Sequence, residues 1–327
     1  MKIDFNFTKK QSQAVVFFGI FCLAIFYIIT QNISHNELKN AKIQTEQSEI
    51  LQPPVIIPSP FDNLTLSAQA YYVWDMKEKK AIASFNEEMQ LPLASLTKLM
   101  TVLVASEIVA NDVVITVKDE NVDNDGNNRL IAGEKWCLPD MINFILMASS
   151  NDGACALASA ISAFDENISR ENFVEAMNKK AEELGMTQTF FLNVSGLDMN
   201  QSIGGAYGSA KDTAILLENI LTKNPSLLEA SVYKEMRINS DMFSRQVNNT
   251  NQIVDKLPGL VASKTGWTDL AQGNLMVAFD IGMGHNIIIS VLGSTKEGRF
   301  SDMEQLVWAS IKNNSSKNEN AKVGLAY

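Results

Sequence analysis

Leu93-Ala94-Ser95-Leu96-Thr97-Lys98-Leu99-Met100-Thr101 opens a near-continuous apolar run that continues through Leu103, Val104 and Ile108. A helix with so few polar positions must be buried on most sides, so the residues after Ser95 read as a central core helix. Working outward, Tyr71 to Trp74, a charged turn at Lys77-Glu78-Lys79-Lys80 and Ala81 to Phe85 predict a hairpin. Downstream, 139–147, 153–161, 171–184 and 211–222 carry helical spacing, and the acidic, Asn-rich 118–128 reads as a surface loop. The period then changes, predicting strands over 259–264, 273–280 and 286–293 and a final helix over 301–312. Strands on both sides of a helical middle imply an α+β fold with a central antiparallel sheet.

The 327 residues are 46% hydrophobic and 20% charged, enough to bury a substantial core. A formal net charge of −10 with no Lys/Arg stripe argues against a nucleic-acid partner. Cys137 and Cys155 read as small reduced core residues, with a disulfide between them as the alternative; no metal site is expected, because no CxxC spacing or nearby histidine accompanies them. The charge-free run 14–29, preceded by Lys9 and Lys10 and lacking a small-x-small cleavage pattern, reads as an uncleaved anchor. The expected organisation is a cytoplasmic N-terminus (1–11), a transmembrane helix (12–30), an extended, Pro-closed extracytoplasmic linker (31–60), one domain (61–313) and a polar tail (314–327).

The chain has two histidines, His35 in the polar stretch after the anchor and His285 in a Gly-rich turn, so a Ser-His-Asp relay has no middle member. A serine nucleophile here needs a lysine base. Ser95 and Lys98, at i and i+3, share one helix face, and burial together with a second cation, Lys264, would bring the Lys98 amine down from its usual range. Ser95 at the helix start would aim its own N–H at a developing oxyanion. Ser149-Ser150-Asn151 falls between two apolar helices; Asn151 or Asp152 would serve as a cap, while Ser149 could relay a proton and the Asn151 amide hold a substrate backbone. Lys264-Thr265-Gly266 ends an apolar strand, either as a surface turn or as a place where the glycine lets a substrate backbone lie close. A second S-x-x-K match, Ser231-Val232-Tyr233-Lys234, reads as a solvated helix face.

In this order the three motifs resemble the low-molecular-mass penicillin-binding proteins, the serine D-alanyl-D-alanine carboxypeptidase family (S11) with SxxK, SxN and KTG signatures. The likeness extends to Glu183-Leu184-Gly185-Met186, Asn193-Val194-Ser195-Gly196-Leu197-Asp198, Ser209-Ala210-Lys211-Asp212 and Trp267-Thr268-Asp269, and covers about 68–312. It implies a β-lactamase/transpeptidase-like fold with a mainly helical subdomain, and an enzyme that needs no cofactor. It further implies Ser95 as acylated nucleophile, Lys98 as base, Ser149 as relay, Asn151 as substrate ligand and Lys264 as electrostatic aid. Trp267 would add the second oxyanion N–H, and Thr265 and Arg299 would hold the terminal carboxylate; otherwise Arg299 is a surface cation at a helix start.

The function expected from the resemblance is D,D-carboxypeptidase action on peptidoglycan stem peptides, with β-lactams as covalent inhibitors. A D,D-endopeptidase is the alternative. A class A-like β-lactamase is disfavoured by the lack of an E-x-x-L-N string between the second and third motifs, and a non-catalytic wall-binding or β-lactam-sensing module by the intact motifs. Typical members carry a cleavable signal, a second β-rich domain and a C-terminal amphipathic helix, whereas an N-terminal anchor is expected here.

Overall fold

The computed structural model describes residues 9–50, 58–122, 130–164 and 170–324. It divides into two compact units, Met1–Pro58 and Ser59–Tyr327. The first is a helix, α1 (Lys9–Ile50), containing one stretch, Phe18–Lys39, long and apolar enough to cross a membrane. The expected extended linker is therefore helical as far as Ile50: 31–50 holds Glu, Lys, Gln, Leu and Ala and neither Gly nor Pro, so nothing within it interrupts the helix. Residues 1–8 and 51–57 lie outside the described part.

The second unit is built on a five-stranded antiparallel sheet of β1 (Ala70–Asp75), β2 (Lys80–Phe85), β3 (Leu260–Thr268), β4 (Gln272–Asp280) and β5 (Asn286–Ser294), in the order β3-β4-β5-β1-β2. The chain's first hairpin thus completes a sheet formed mainly by its last three strands, with Ala70 opposite Leu292 and Asp75 opposite Ile287. Both faces are covered, and alternation sorts the side chains. Val73, Leu275, Val277, Phe279, Ile287, Ile289 and Val291 face one way, with Phe300, Met303, Leu306 and Val307 of α7 (Gly298–Gly324). Tyr72, Met276, Ala278, Ile288 and Leu292 face the larger helical core. The last helix starts three residues earlier than expected and runs through most of the polar tail, because no Gly or Pro interrupts 299–323. Residues 325–327 lie outside the described part.

The helical layer holds α2 (Thr97–Ile108), α3 (Leu138–Ala148), α4 (Asn151–Phe164), α5 (Arg170–Glu183) and α6 (Ala210–Lys223). Every buried position from Thr97 to Ala105 lies on α2, which matches its reading as the central helix. Ser209 caps α6 by accepting from the Asp212 amide, and Thr213 shares a 2.8 Å hydroxyl contact with Ser290 of β5, tying α6 to the sheet. Of the expected loop over 118–128, Asp119–Asn121 form a 3-10 turn and 123–129 are outside the described residues.

Two readings change. Cys137 is exposed, on the outward side of the short strand Lys135–Cys137, and not a core residue; Cys155 is half-buried, and both are free thiols. Ser231 is buried, and not on a solvated face: its hydroxyl donates to Leu228 O and accepts from the Ser263 amide of β3. The hydroxyl bridges a 3-10 helix and a strand that pack together, which a local pattern cannot reveal.

Candidate active site

The first motif is shaped by its backbone. Ser95 lies in a 3-10 turn, Ala94–Leu96, that leads into α2, rather than in the α-helix itself. Ala94 just before it is held at φ 47°, a left-handed conformation that costs a non-glycine residue on the order of 1–3 kcal/mol. Two long-range contacts hold this turn. The buried Asn274 side chain of β4 donates to the carbonyls of Pro92 and Leu93, both at 3.0 Å, while accepting from the Gly293 amide. From the other side Gly196, at φ +76°, comes so close that an added Cβ would lie 1.8 Å from Ala94 O.

Replacing Gly196 with alanine is therefore expected to shift the 193–198 segment off the nucleophile turn. The measurable result is a lower melting temperature, by an amount corresponding to about 2 kcal/mol, together with slower penicillin acylation. Unchanged acylation would show that the turn does not depend on this contact.

Lys98 is fully buried, and its Nζ lies 2.8 Å from each of Ser95 Oγ, Asn151 Oδ1 and Ser195 O. Burial pulls its pKa down to about 7, with a smaller opposing pull from Cys155. A neutral amine has two hydrogens and one lone pair. The Asn151 and Ser195 oxygens only accept and so take the hydrogens, which leaves the lone pair for the Ser95 hydroxyl to donate into. That is the geometry of a general base.

The second cation lies close enough to interact with the first. Lys264 is itself buried and pushed well below the ordinary lysine range, first by burial and then by the charges of Lys98 and Arg299. Burial is the leading cause for both lysines, and the repulsion between them acts on the pair.

The second motif serves two purposes at separate residues. Ser150, buried, is the cap of α4, accepting from the Gly153 amide at 2.9 Å, so neither Asn151 nor Asp152 is needed for that bond. Asn151 is thereby free to meet Lys98. Ser149 ends α3 in the left-handed region at φ 58°, and this turn brings its hydroxyl within 2.8 Å of Lys264 Nζ. The third motif does not end its strand: β3 continues to Thr268 as the edge of the sheet, with Trp267 opposite Gly273 and Thr268 opposite Gln272 of β4. Gly266 allows the nucleophile turn to approach this edge, since a Cβ there would lie 3.0 Å from Leu93 O and 3.3 Å from Ser95 N.

Arg299 is not a surface cation. It is buried, its Nη1 donates to Gly266 O at 2.7 Å, and its Nε has no partner. The Trp267 ring is exposed beneath the Lys296 ammonium, 4.6 Å from the ring centroid. The structure thus brings the three motifs and Arg299 together where β3, the turn before α2 and the α3–α4 junction meet.

Sequence reasoning assigned no part to Ser195, Asn193, Asp198 or Asn274. Asn193 Oδ1 accepts from the Ser195 and Gly196 amides, and its Nδ2 donates to Leu197 O at 2.8 Å, which fixes the carbonyl that meets Lys98. Asp198 then joins this segment to β3 and the turn after it by accepting from the Thr268 hydroxyl and the Leu270 amide. For 193–198 the signals were a Gly between polar residues, which reads as an ordinary turn, and a place in the family likeness that came with no role; Asn274 carried neither.

The family described as D-alanyl-D-alanine carboxypeptidase, Peptidase_S11, matches residues 57–296. D-alanyl-D-alanine carboxypeptidase DacF of Bacillus subtilis is 32% identical over 237 residues, 70% of this chain and 58% of that protein, so the chain spans less than two thirds of that relative. A D-alanyl-D-alanine endopeptidase of Pseudomonas aeruginosa is 26% identical over 248 residues, 74% of this chain and 76% of that protein. Among solved structures, ampicillin-bound penicillin-binding protein D2 of Listeria monocytogenes superposes with a TM-score of 0.66 at 27% identity, covering 76% of this chain and 98% of that one. With the family match spanning well over half of its length and the three motifs meeting at one place, the chain belongs to the S11 D-alanyl-D-alanine carboxypeptidase family of penicillin-binding serine peptidases.

Proposed function

We propose that this protein is a membrane-anchored serine D,D-carboxypeptidase that removes the terminal D-alanine of peptidoglycan stem peptides through a Ser95 ester. The observation that carries the reading is the buried Lys98 amine at 2.8 Å from Ser95 Oγ, with its two other contacts made to acceptors only. Lys98 takes the hydroxyl proton as Ser95 Oγ attacks the carbonyl between the last two residues. The oxyanion is met by the Ser95 and Trp267 amides. Thr265 O accepts from Lys264 Nζ, so the backbone groups of Thr265 face away from β4, and by alternation those of Trp267 lie along the same open edge.

Collapse of the adduct breaks the C–N bond. The departing amine receives its proton from Lys98 by way of Ser149, whose hydroxyl lies against Lys264. Asn151 Nδ2 holds the substrate carbonyl on the donor side. Thr265 and the Arg299 guanidinium receive the free carboxylate of the departing D-alanine. Water then adds to the ester with Lys98 as base, releasing the shortened stem and restoring the Ser95 hydroxyl. β-Lactams enter by the same first step and remain as esters, in keeping with the ampicillin-bound relative. The Phe18–Lys39 stretch would hold the enzyme in the membrane as a single pass, with the catalytic unit on the cell-wall side.

The second reading, a D,D-endopeptidase, is favoured by the relative of that name. A pentapeptide and a cross-linked dimer given to the purified protein separate the two. Free D-alanine from the pentapeptide at a kcat/KM at least tenfold above dimer cleavage is the expected result, and preferential dimer cleavage would establish the endopeptidase.

A further inference from the structure

Thr250 belongs to none of the three motifs, yet its Oγ1 lies 2.6 Å from the Thr265 Oγ1 of β3. Its backbone amide donates to Met147 O at 3.1 Å, two residues before Ser149, so this one residue ties the end of α3, which leads into the second motif, to the third. The neighbours of Thr250 are pinned as well. Asn249 donates to the Ser231 and Tyr233 carbonyls at 2.9 and 3.0 Å, and its Oδ1 accepts from the amide of the buried Asn251, whose Oδ1 accepts in turn from the Ile253 amide. Such a network holds the Thr250 hydroxyl at a fixed position against Thr265, which is itself buried.

Two hydroxyls at this separation place one hydrogen between them and leave one to be given elsewhere. An ionised carboxylate only accepts, so when it sits at Thr265 the outward hydrogen must be that of Thr265, and the hydrogen between the oxygens must come from Thr250. Donation from Thr250 also polarises the Thr265 O–H and strengthens its bond to the anion. We propose that Thr250 is a positioning residue for the free α-carboxylate of the substrate, turning the Thr265 hydroxyl hydrogen toward it. The inference rests on the carboxypeptidase reading, which supplies the carboxylate.

The test compares the full chain with its Thr250→Val and Thr250→Ser variants on an acyl-D-Ala-D-Ala peptide, offered as the free acid and as its C-terminal methyl ester. Valine matches threonine in shape and keeps the backbone bond to Met147. For Thr250→Val, kcat/KM on the free acid should fall about tenfold, mainly through KM, while turnover of the methyl ester stays within about twofold. Thr250→Ser should restore the preference for the free acid. Equal losses on both peptides, no loss on either, or no rescue by serine would overturn the assignment while leaving the carboxypeptidase reading in place. Failure of the unaltered chain to release D-alanine from either peptide would overturn that reading, and this inference with it.

Discussion

Replacing Ser95 with alanine abolishes labelling by a fluorescent penicillin and lowers D-alanine release from a pentapeptide by a factor on the order of 10⁵ or more. The size follows from the chemistry: no ester forms without the oxygen, and the neighbouring donors then have only an unreacted peptide to hold. The variant should fold normally. Ser95 occupies a turn held by Asn274 and Gly196, and the hydroxyl's bond to Lys98 Nζ is not among those contacts. Persistent labelling at an unchanged melting temperature would show that another residue is the nucleophile. Ser149 would be the next to test, since its hydroxyl also faces a buried lysine.

Replacing Lys98 with methionine, which keeps the buried stem but removes the amine, is expected to cost about 10²–10⁴ in the acylation rate, the range of a general base. Arginine should do no better, because a guanidinium stays charged and has no lone pair to offer. In the unaltered enzyme Lys98 must be neutral to act. Below its pKa it carries the proton and cannot accept another; above, it is free. With burial holding that pKa at about 7, kcat/KM should rise with pH through about 7 and then level off. A rate independent of pH between 5 and 9, or one that falls as pH rises through 7, would remove Lys98 from the role of base.

Much of the fold was legible because the core pattern is regular. The buried α2, the three long strands as short continuous apolar runs, and the amphipathic α5 and α6 all follow from sequence pattern alone. The ends of elements were less legible. α1 and α7 run past their expected limits because polar residues without Gly or Pro sustain a helix as readily as they form a tether or tail. The β3 strand also continues beyond its motif, since Trp267 and Thr268 have partners in β4 that no local window shows.

Three short patterns and a family resemblance singled out Ser95, Lys98, Ser149, Asn151, Lys264 and Arg299 as candidates, because a serine nucleophile without a nearby histidine restricts which residue types can serve it. What only the tertiary structure decided is how those residues are served. Ser150 caps α4 so that Asn151 need not, the Ser195 carbonyl takes one hydrogen of Lys98, Asn274 crosses from the sheet to hold the nucleophile turn, and Thr250 meets Thr265. Each of these contacts joins segments that pack together only after the chain has folded. A hydrogen bond depends on where two atoms come to rest, whereas a sequence pattern records only which side chain stands at each position.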